Sequence, residues 1–168
     1  MSILRNILGL KLDLQDDLPL FKCKGEAMRA ILLYATKYRD DVETLIQSFS
    51  EEIWTVCVNT SNDPKYEKMV LNALKYFKSL VTWMNMRSFF SKNMQSLFES
   101  LLIPQSKLTS IDTQDLQDEP HSVIETYFEH AQFGTRKSIN IELLKTVCRT
   151  YPEESSNIIN SFMYIEFI

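Results

Sequence analysis

The chain has 168 residues, of which 45% are hydrophobic and 24% charged, and its formal net charge is −4. This balance is typical of a folded globular protein and excludes an intrinsically disordered chain. The negative net charge argues against a protein that binds nucleic acid, and no apolar run approaches the length of about 18 residues that a membrane span requires. With only three glycines and five prolines, the chain has too few turn residues for a β-rich fold and favours long helices.

Apolar residues recur with helical spacing along most of the chain. After a short apolar helix at residues 3–8, the stripes cover residues 28–38, 42–57, 66–81, 90–102, 141–151 and 158–163. In the stripe at 141–151 the residues predicted to be buried are Ile141, Leu144, Val147, Cys148 and Tyr151. Each stripe predicts one amphipathic helix that packs against its neighbours.

Boundary residues support this division into helices. Asp63 followed by Pro64 suits the start of a helix, because aspartate caps free amides and proline needs no hydrogen-bond partner at the first helical position. Gly134 suits a left-handed turn, and Thr135 can cap the helix that follows. Pro104 is expected to end the helix at 90–102.

The helix pairs begin at intervals that indicate a repeat. Pro19 and Pro64 lie 45 residues apart, which is the length of a two-helix HEAT unit, whereas Pro64 and Thr135 lie 71 apart, about 26 too many. We therefore predict an all-α fold, with residues 1–168 forming one α-solenoid of antiparallel helix hairpins and residues 104–134 forming an insertion. The apolar terminal helices, at residues 3–8 and 162–168, are expected to allow self-association.

The predicted insertion concentrates the acidic charge of the chain. Its only lysine is Lys107, and its acids are Asp112, Asp115, Asp118, Glu119, Glu125 and Glu129. A short amphipathic piece containing Ile124, Tyr127 and Phe128 could anchor the insertion to the solenoid. Long connections in compact domains usually bind something or move, so a partner-binding or conformational role is favoured over a solvated loop.

Residues that could carry chemistry are scattered. His121 and His130 lie apart from any nucleophile, and Cys23, Cys57 and Cys148 form no metal-ligand spacing, so neither catalysis, nor a cofactor, nor a metal is predicted.

Two surfaces have alternative interpretations. Met84, Met86 and Met94, with Trp83, Phe89 and Phe90, could line an adaptable groove but are favoured as core. Lys65, Lys68, Lys75 and Lys78 could form a basic face but are favoured as ordinary solvated surface.

The segment IPQSKLTSIDTQDLQDEPHSVIETYFEHAQFGTRKSINIELLKTVC resembles the central, insertion-bearing repeat of the exportin-2 (CAS) family in the importin-β superfamily. Upstream, LLYATKYRDDVE and FSEEIWTVCVNTSNDPKYEKMVLNALKYF resemble the preceding repeats, so the similarity covers most of residues 20–165. The matching positions are Pro104, Asp112, Asp115, Leu116, Asp118, Glu119, Ile124, Thr135, Arg136, Lys137, Leu144 and Cys148. The chain departs from the family pattern at Val123, Glu125, Thr126 and Ser138.

This resemblance implies a non-enzymatic nuclear transport receptor that binds Ran-GTP and importin-α together and moves between nucleus and cytoplasm. It implies that the insertion lies near both partners, with contacts from Asp112, Asp115, Asp118, Glu119, Arg136 and Lys137. Two alternatives stay open, namely a cargo importin of the same superfamily and a HEAT-repeat scaffold unrelated to Ran.

Overall fold

The computed structural model describes residues 2–10, 18–60, 63–121 and 134–165. Across these ranges the secondary structure is helical, and no strand occurs in them. The α-helices are α1 (Ser2–Gly9), α2 (Leu18–Lys37), α3 (Arg39–Val58), α4 (Glu67–Leu80), α5 (Arg87–Ser96), α6 (Ile103–Ser106), α7 (Ser110–Asp118), α8 (Arg136–Thr150) and α9 (Pro152–Ile165). Turns of 3₁₀-helix precede α4 (Pro64–Tyr66) and α5 (Met84–Met86), and a π-helical segment, Leu97–Leu102, joins α5 to α6.

The helices pack as hairpins in two layers. Helices α2, α4 and α8 lie side by side in one layer, and α3, the α5–α6 helix and α9 form the other. Helix α1 packs against both α2 and α3. The predicted all-α helical solenoid is therefore confirmed, and its hairpins begin at α2, α4 and α8, close to the predicted starts at Pro19, Pro64 and Thr135.

The centre of the core is an aromatic cluster around Phe77, which is fully buried on α4. Its ring contacts Trp54 of α3 at a centroid distance of 5.6 Å and Phe90 of α5 at 6.3 Å. The neighbouring Tyr76 is also fully buried, and its hydroxyl lies 2.9 Å from the Ser50 hydroxyl. Phe77 thus joins two consecutive hairpins through apolar and edge-to-face aromatic contacts.

Helices α2 and α4 approach closely at Gly25. A methyl group added there would lie 3.2 Å from the Cα of Met69, so a side chain at this position would push the two backbones apart. Asn72 of α4 donates through Nδ2 to the carbonyl oxygen of Gly25 at 2.9 Å. The contact between these helices therefore combines close backbone packing with a buried hydrogen bond.

The predicted boundary residues form the expected caps. Asp63 accepts a hydrogen bond from the Lys65 amide at 2.9 Å, and Thr135 accepts one from the Ser138 amide at 3.2 Å. Gly134 has φ of 66°, the left-handed conformation that was expected for it. Both caps satisfy amide donors that the first turn of a helix would leave unpaired.

Pro104 does not end its helix, which corrects the prediction. Helical structure continues to Ser106 because the π-helical segment Leu97–Leu102 precedes the proline. In that segment the Ile103 amide donates to the carbonyl of Phe98, five residues earlier. This wider turn rearranges the hydrogen bonds just ahead of Pro104, which has no amide proton to donate.

Burial on α8 also differs from the predicted stripe. Ile141 is exposed, whereas Ile139, Leu143 and Val147 form the buried apolar face. Two polar residues, Arg136 and Asn140, share this buried face. A prediction from apolar periodicity alone misplaces the buried face of α8, because it assumes that every polar residue is exposed.

The two surfaces with alternative interpretations are largely occupied within the chain. Met86, Met94, Phe89 and Phe90 are buried, which confirms the core interpretation for them, whereas Met84 is exposed on a 3₁₀ turn. Two lysines of α4 pair with acids of neighbouring helices. Lys68 lies 2.9 Å from Glu26 of α2, and Lys78 contacts Glu142 of α8.

Within the described ranges, no helix has the length and apolar character needed to cross a bilayer.

Burial makes one cysteine unreactive. Desolvation raises the pKa of the fully buried Cys57 thiol to about 12 from its ordinary value of 9.0, whereas Cys23 is exposed. We expect a maleimide to alkylate Cys23 at least about a hundredfold faster than Cys57, because Cys57 must wait for local opening. Peptide mass spectrometry over a time course measures both rates, and similar rates would show that α3 opens readily. Because the thiol ionises more readily in the unfolded chain, the free energy of unfolding should fall as the pH rises from 9.0 toward about 12.

Candidate protein-binding site

The segment predicted to be an acidic insertion contains a capped helix, α7. The Thr109 hydroxyl accepts a hydrogen bond from the Asp112 amide at 3.1 Å, and Asp112 Oδ2 accepts one from the Thr109 amide at 2.6 Å. This reciprocal capping box sets the start of α7. Asp112 was predicted to be an exposed, partner-facing acid, and its side chain is instead only 14% exposed because it caps its own helix.

The two basic residues predicted to bind a partner contact acids of the chain itself. Lys137 Nζ lies 2.9 Å from Asp112 Oδ2, and Arg136 Nε lies 3.1 Å from Glu67 Oε2. Arg136 is buried, and Lys137 is largely covered. These pairs join the first turn of α8 to α7 on one side and to α4 on the other.

Asn140 of α8 holds the segment just before α7, where the predicted insertion starts, and the sequence pattern did not single this residue out. Its Nδ2 donates to the carbonyl of Leu102 and to the Ser106 hydroxyl, both at 2.9 Å. The residue is buried. The sequence does hold one indication that Asn140 is buried. It lies four residues after Arg136 and three before Leu143, and positions with these spacings share one face of a helix.

We expect Asn140→Ala to lower the free energy of unfolding by about 2 kcal/mol, since it removes both hydrogen bonds and leaves the Leu102 carbonyl with a poorer set of donors. Urea denaturation followed by circular dichroism measures the loss. Asn157→Ala on the exposed side of α9 is the matched control and should change little. If the two variants unfold at the same urea concentration, Asn140 does not support the insertion.

Three of the predicted partner-facing acids are exposed. Asp115 and Asp118 lie on α7, and Glu119 follows it directly. Ile111 and Leu116 of the same helix are 53% and 41% exposed. This part of the predicted insertion therefore presents exposed apolar side chains among exposed acids.

Some predicted features cannot be placed. The expected anchor residues Ile124, Tyr127 and Phe128 lie outside the described residues. Among the residues that are described, no group of three or more potential ligands could hold a metal ion. Of the apolar residues expected at the first end, Ile3 is exposed but Leu8 is buried, and the side chains of residues 163–168 lie outside the described part of the chain. Self-association through the two ends stays a prediction.

Comparisons with known proteins agree with this architecture. The model of the Cse1 family matches residues 5–166. Exportin-2 from Xenopus laevis is 23% identical over 133 residues, which cover 78% of this chain and 14% of that protein. Exportin-2 from Drosophila melanogaster is 22% identical over 142 residues, covering 83% of this chain and 15% of the relative.

A solved structure described as the exportin Cse1 in its cargo-free, cytoplasmic state superimposes with a TM-score of 0.86 and 23% sequence identity. The superposition covers 98% of this chain and 19% of that one. The chain thus spans about one seventh of the length of the curated relatives named above. Since the family model matches nearly the whole chain, the chain belongs to the Cse1 family.

Proposed function

We propose that this chain forms part of a nuclear transport receptor that binds importin-α and Ran-GTP together and carries importin-α out of the nucleus. The receptor would move between nucleus and cytoplasm and would act by binding, without catalysing a reaction. The observation that carries this proposal is the match of the Cse1 family model to residues 5–166. The relatives are named exportin-2, and the helical stack is similar to that of a solved exportin.

Within this function, the exposed surface of α7 is proposed to contact a basic surface of a partner. Asp115, Asp118 and Glu119 are available there, and Ile111 and Leu116 can add apolar contact. Opposite charges across an interface guide association and select partners more than they add to affinity. Asp112, Arg136 and Lys137 are set apart from this group, because the structure pairs them within the chain.

Binding to Ran-GTP with and without importin-α tests the proposal and separates the alternatives. An exportin of this kind binds the two partners better together than either alone. A cargo importin loses its cargo when Ran-GTP is added, and a scaffold unrelated to Ran responds to neither. The isolated chain is expected to bind weakly, so the decisive assay uses a receptor that contains the chain within its full solenoid.

A further inference from the structure

The carboxylate of Asp112 connects two helices that are far apart in sequence. Its Oδ2 atom accepts both the amide hydrogen of Thr109, at 2.6 Å, and a hydrogen from Lys137 Nζ, at 2.9 Å. The first contact caps α7, and the second reaches the first turn of α8, 25 residues along the chain. One oxygen atom therefore couples the start of the insertion helix to the solenoid.

Helix α7 lies at the surface of the described part of the chain. It is nine residues long, and none of those residues is buried. Helices this short are marginal in water on their own and usually depend on packing of an apolar face. The capping box explains why α7 is helical, but a cap does not determine where the helix points. Orientation requires a contact to another element, and the ion pair between Asp112 and Lys137 provides one.

Lys137 is well placed to provide that contact because the turn that carries it is itself fixed. Its neighbour Arg136 is buried and pairs with Glu67 of α4, and Thr135 caps the same turn. The side chains of Lys137 and Asp112 are only 15% and 14% exposed. Salt therefore screens their attraction less than that of an open pair such as Lys68 with Glu26, whose side chains are 67% and 43% exposed.

We propose that Lys137 is a positioning residue, which holds α7 through Asp112 so that Asp115, Asp118 and Glu119 meet a basic partner as an ordered array. This inference rests on the proposed partner-binding role of those acids. It assigns Lys137 to the support of the array and not to contact with the partner.

Amide hydrogen exchange of the free protein tests the support directly. Lys137→Met keeps the aliphatic stem and removes the charge, and we expect amides 113–119 to exchange about three- to tenfold faster. Amides 143–147 of α8 should be unchanged. Lys137→Arg should restore slow exchange, and Lys145→Met, an exposed lysine on the same helix, should have no effect. In the unmodified protein the slow exchange should persist at 1 M salt (on the order of a 3 Å Debye length). Unchanged exchange in Lys137→Met would overturn the proposal.

Association with Ran-GTP and importin-α in the full-length receptor provides a readout with a distinctive sign. Lys137→Met makes the surface more acidic, so acids that acted only as local charge would attract a basic partner faster. Positioning predicts slower association, by about threefold or more. If Lys137→Met speeds amide exchange in α7 but leaves association unchanged or faster, Lys137 does hold α7. The acids of α7 would then not act as an ordered array that recognises the partner. Slower association with unchanged exchange would instead assign Lys137 to direct contact with the partner and overturn the positioning role.

Discussion

Phe77→Ala will lower the free energy of unfolding by about 3–5 kcal/mol, the usual cost of removing a fully buried phenylalanine. The ring contacts Trp54, Tyr76 and Phe90, so the cavity is lined by large aromatic side chains. Such rings have few rotamers with which to fill the space. The loss is measured by urea denaturation, with the midpoint and the slope compared with those of the unmodified chain.

Met84→Ala is the control, because Met84 is 74% exposed and its truncation should change the free energy of unfolding by less than about 0.5 kcal/mol. Phe77 also joins two hairpins, so its removal should lower the stability of α3, α4 and α5 together. If hydrogen exchange in α8 and α9 stays unchanged while α3–α5 open, the stack unfolds unit by unit. A loss below about 1 kcal/mol would contradict the central place of Phe77 in the core.

Neutralising the exposed acids of the insertion should weaken assembly of the proposed complex strongly. The variant combines Asp115→Asn, Asp118→Asn and Glu119→Gln. Each exposed pair contributes at most about 1 kcal/mol, so the three together weaken binding by up to about a hundredfold at low salt. The affinity should also depend less on salt concentration, because the variant lacks the three charges whose attraction to the partner salt would screen. Titration calorimetry on the full-length receptor at several salt concentrations measures both effects.

Unfolding of α7 would not explain such a loss. Asp115 and Asp118 lie toward the C-terminal end of α7, where negative charge opposes the helix dipole, so neutralising them should favour the helix. The matched control removes three exposed acids elsewhere, with Glu43→Gln, Glu51→Gln and Glu99→Gln. If both variants bind with unchanged affinity at low salt, the insertion does not recognise a basic partner through these acids.

The sequence predicts most of the solenoid because its information is local. Helices α3 and α4 carry apolar stripes with regular helical spacing, and the residues in these stripes are mostly buried. The caps at Asp63 and Thr135 depend on residues two or three positions away, and both form as predicted. Spacing between hairpins then indicates the repeat, since neighbouring units need similar lengths to stack.

The candidate site is harder to predict because its contacts are distant in sequence. Counting acids identifies the insertion as negative, but it cannot tell that Asp112 is paired with Lys137 while Asp115 is exposed. Similarly, Asn140 is buried with two hydrogen-bond acceptors that lie 34 and 38 residues earlier, and no local pattern indicates them. The helix through Pro104 depends on a π-helical segment, which single-residue propensities do not describe.

The hydrogen bond between Asn140 and Ser106 joins the helices on either side of the predicted insertion, while α8 packs directly beside α4. The chain between α7 and α8 has to return to the stack, but the contact between α4 and α8 does not depend on how many residues that connection contains. Closing a flexible loop twice as long costs only about 0.6 kcal/mol more. Evolution could thus lengthen, shorten or recharge this segment at little cost to the repeat, which makes it a place where related proteins can diverge in partner choice without redesigning their core.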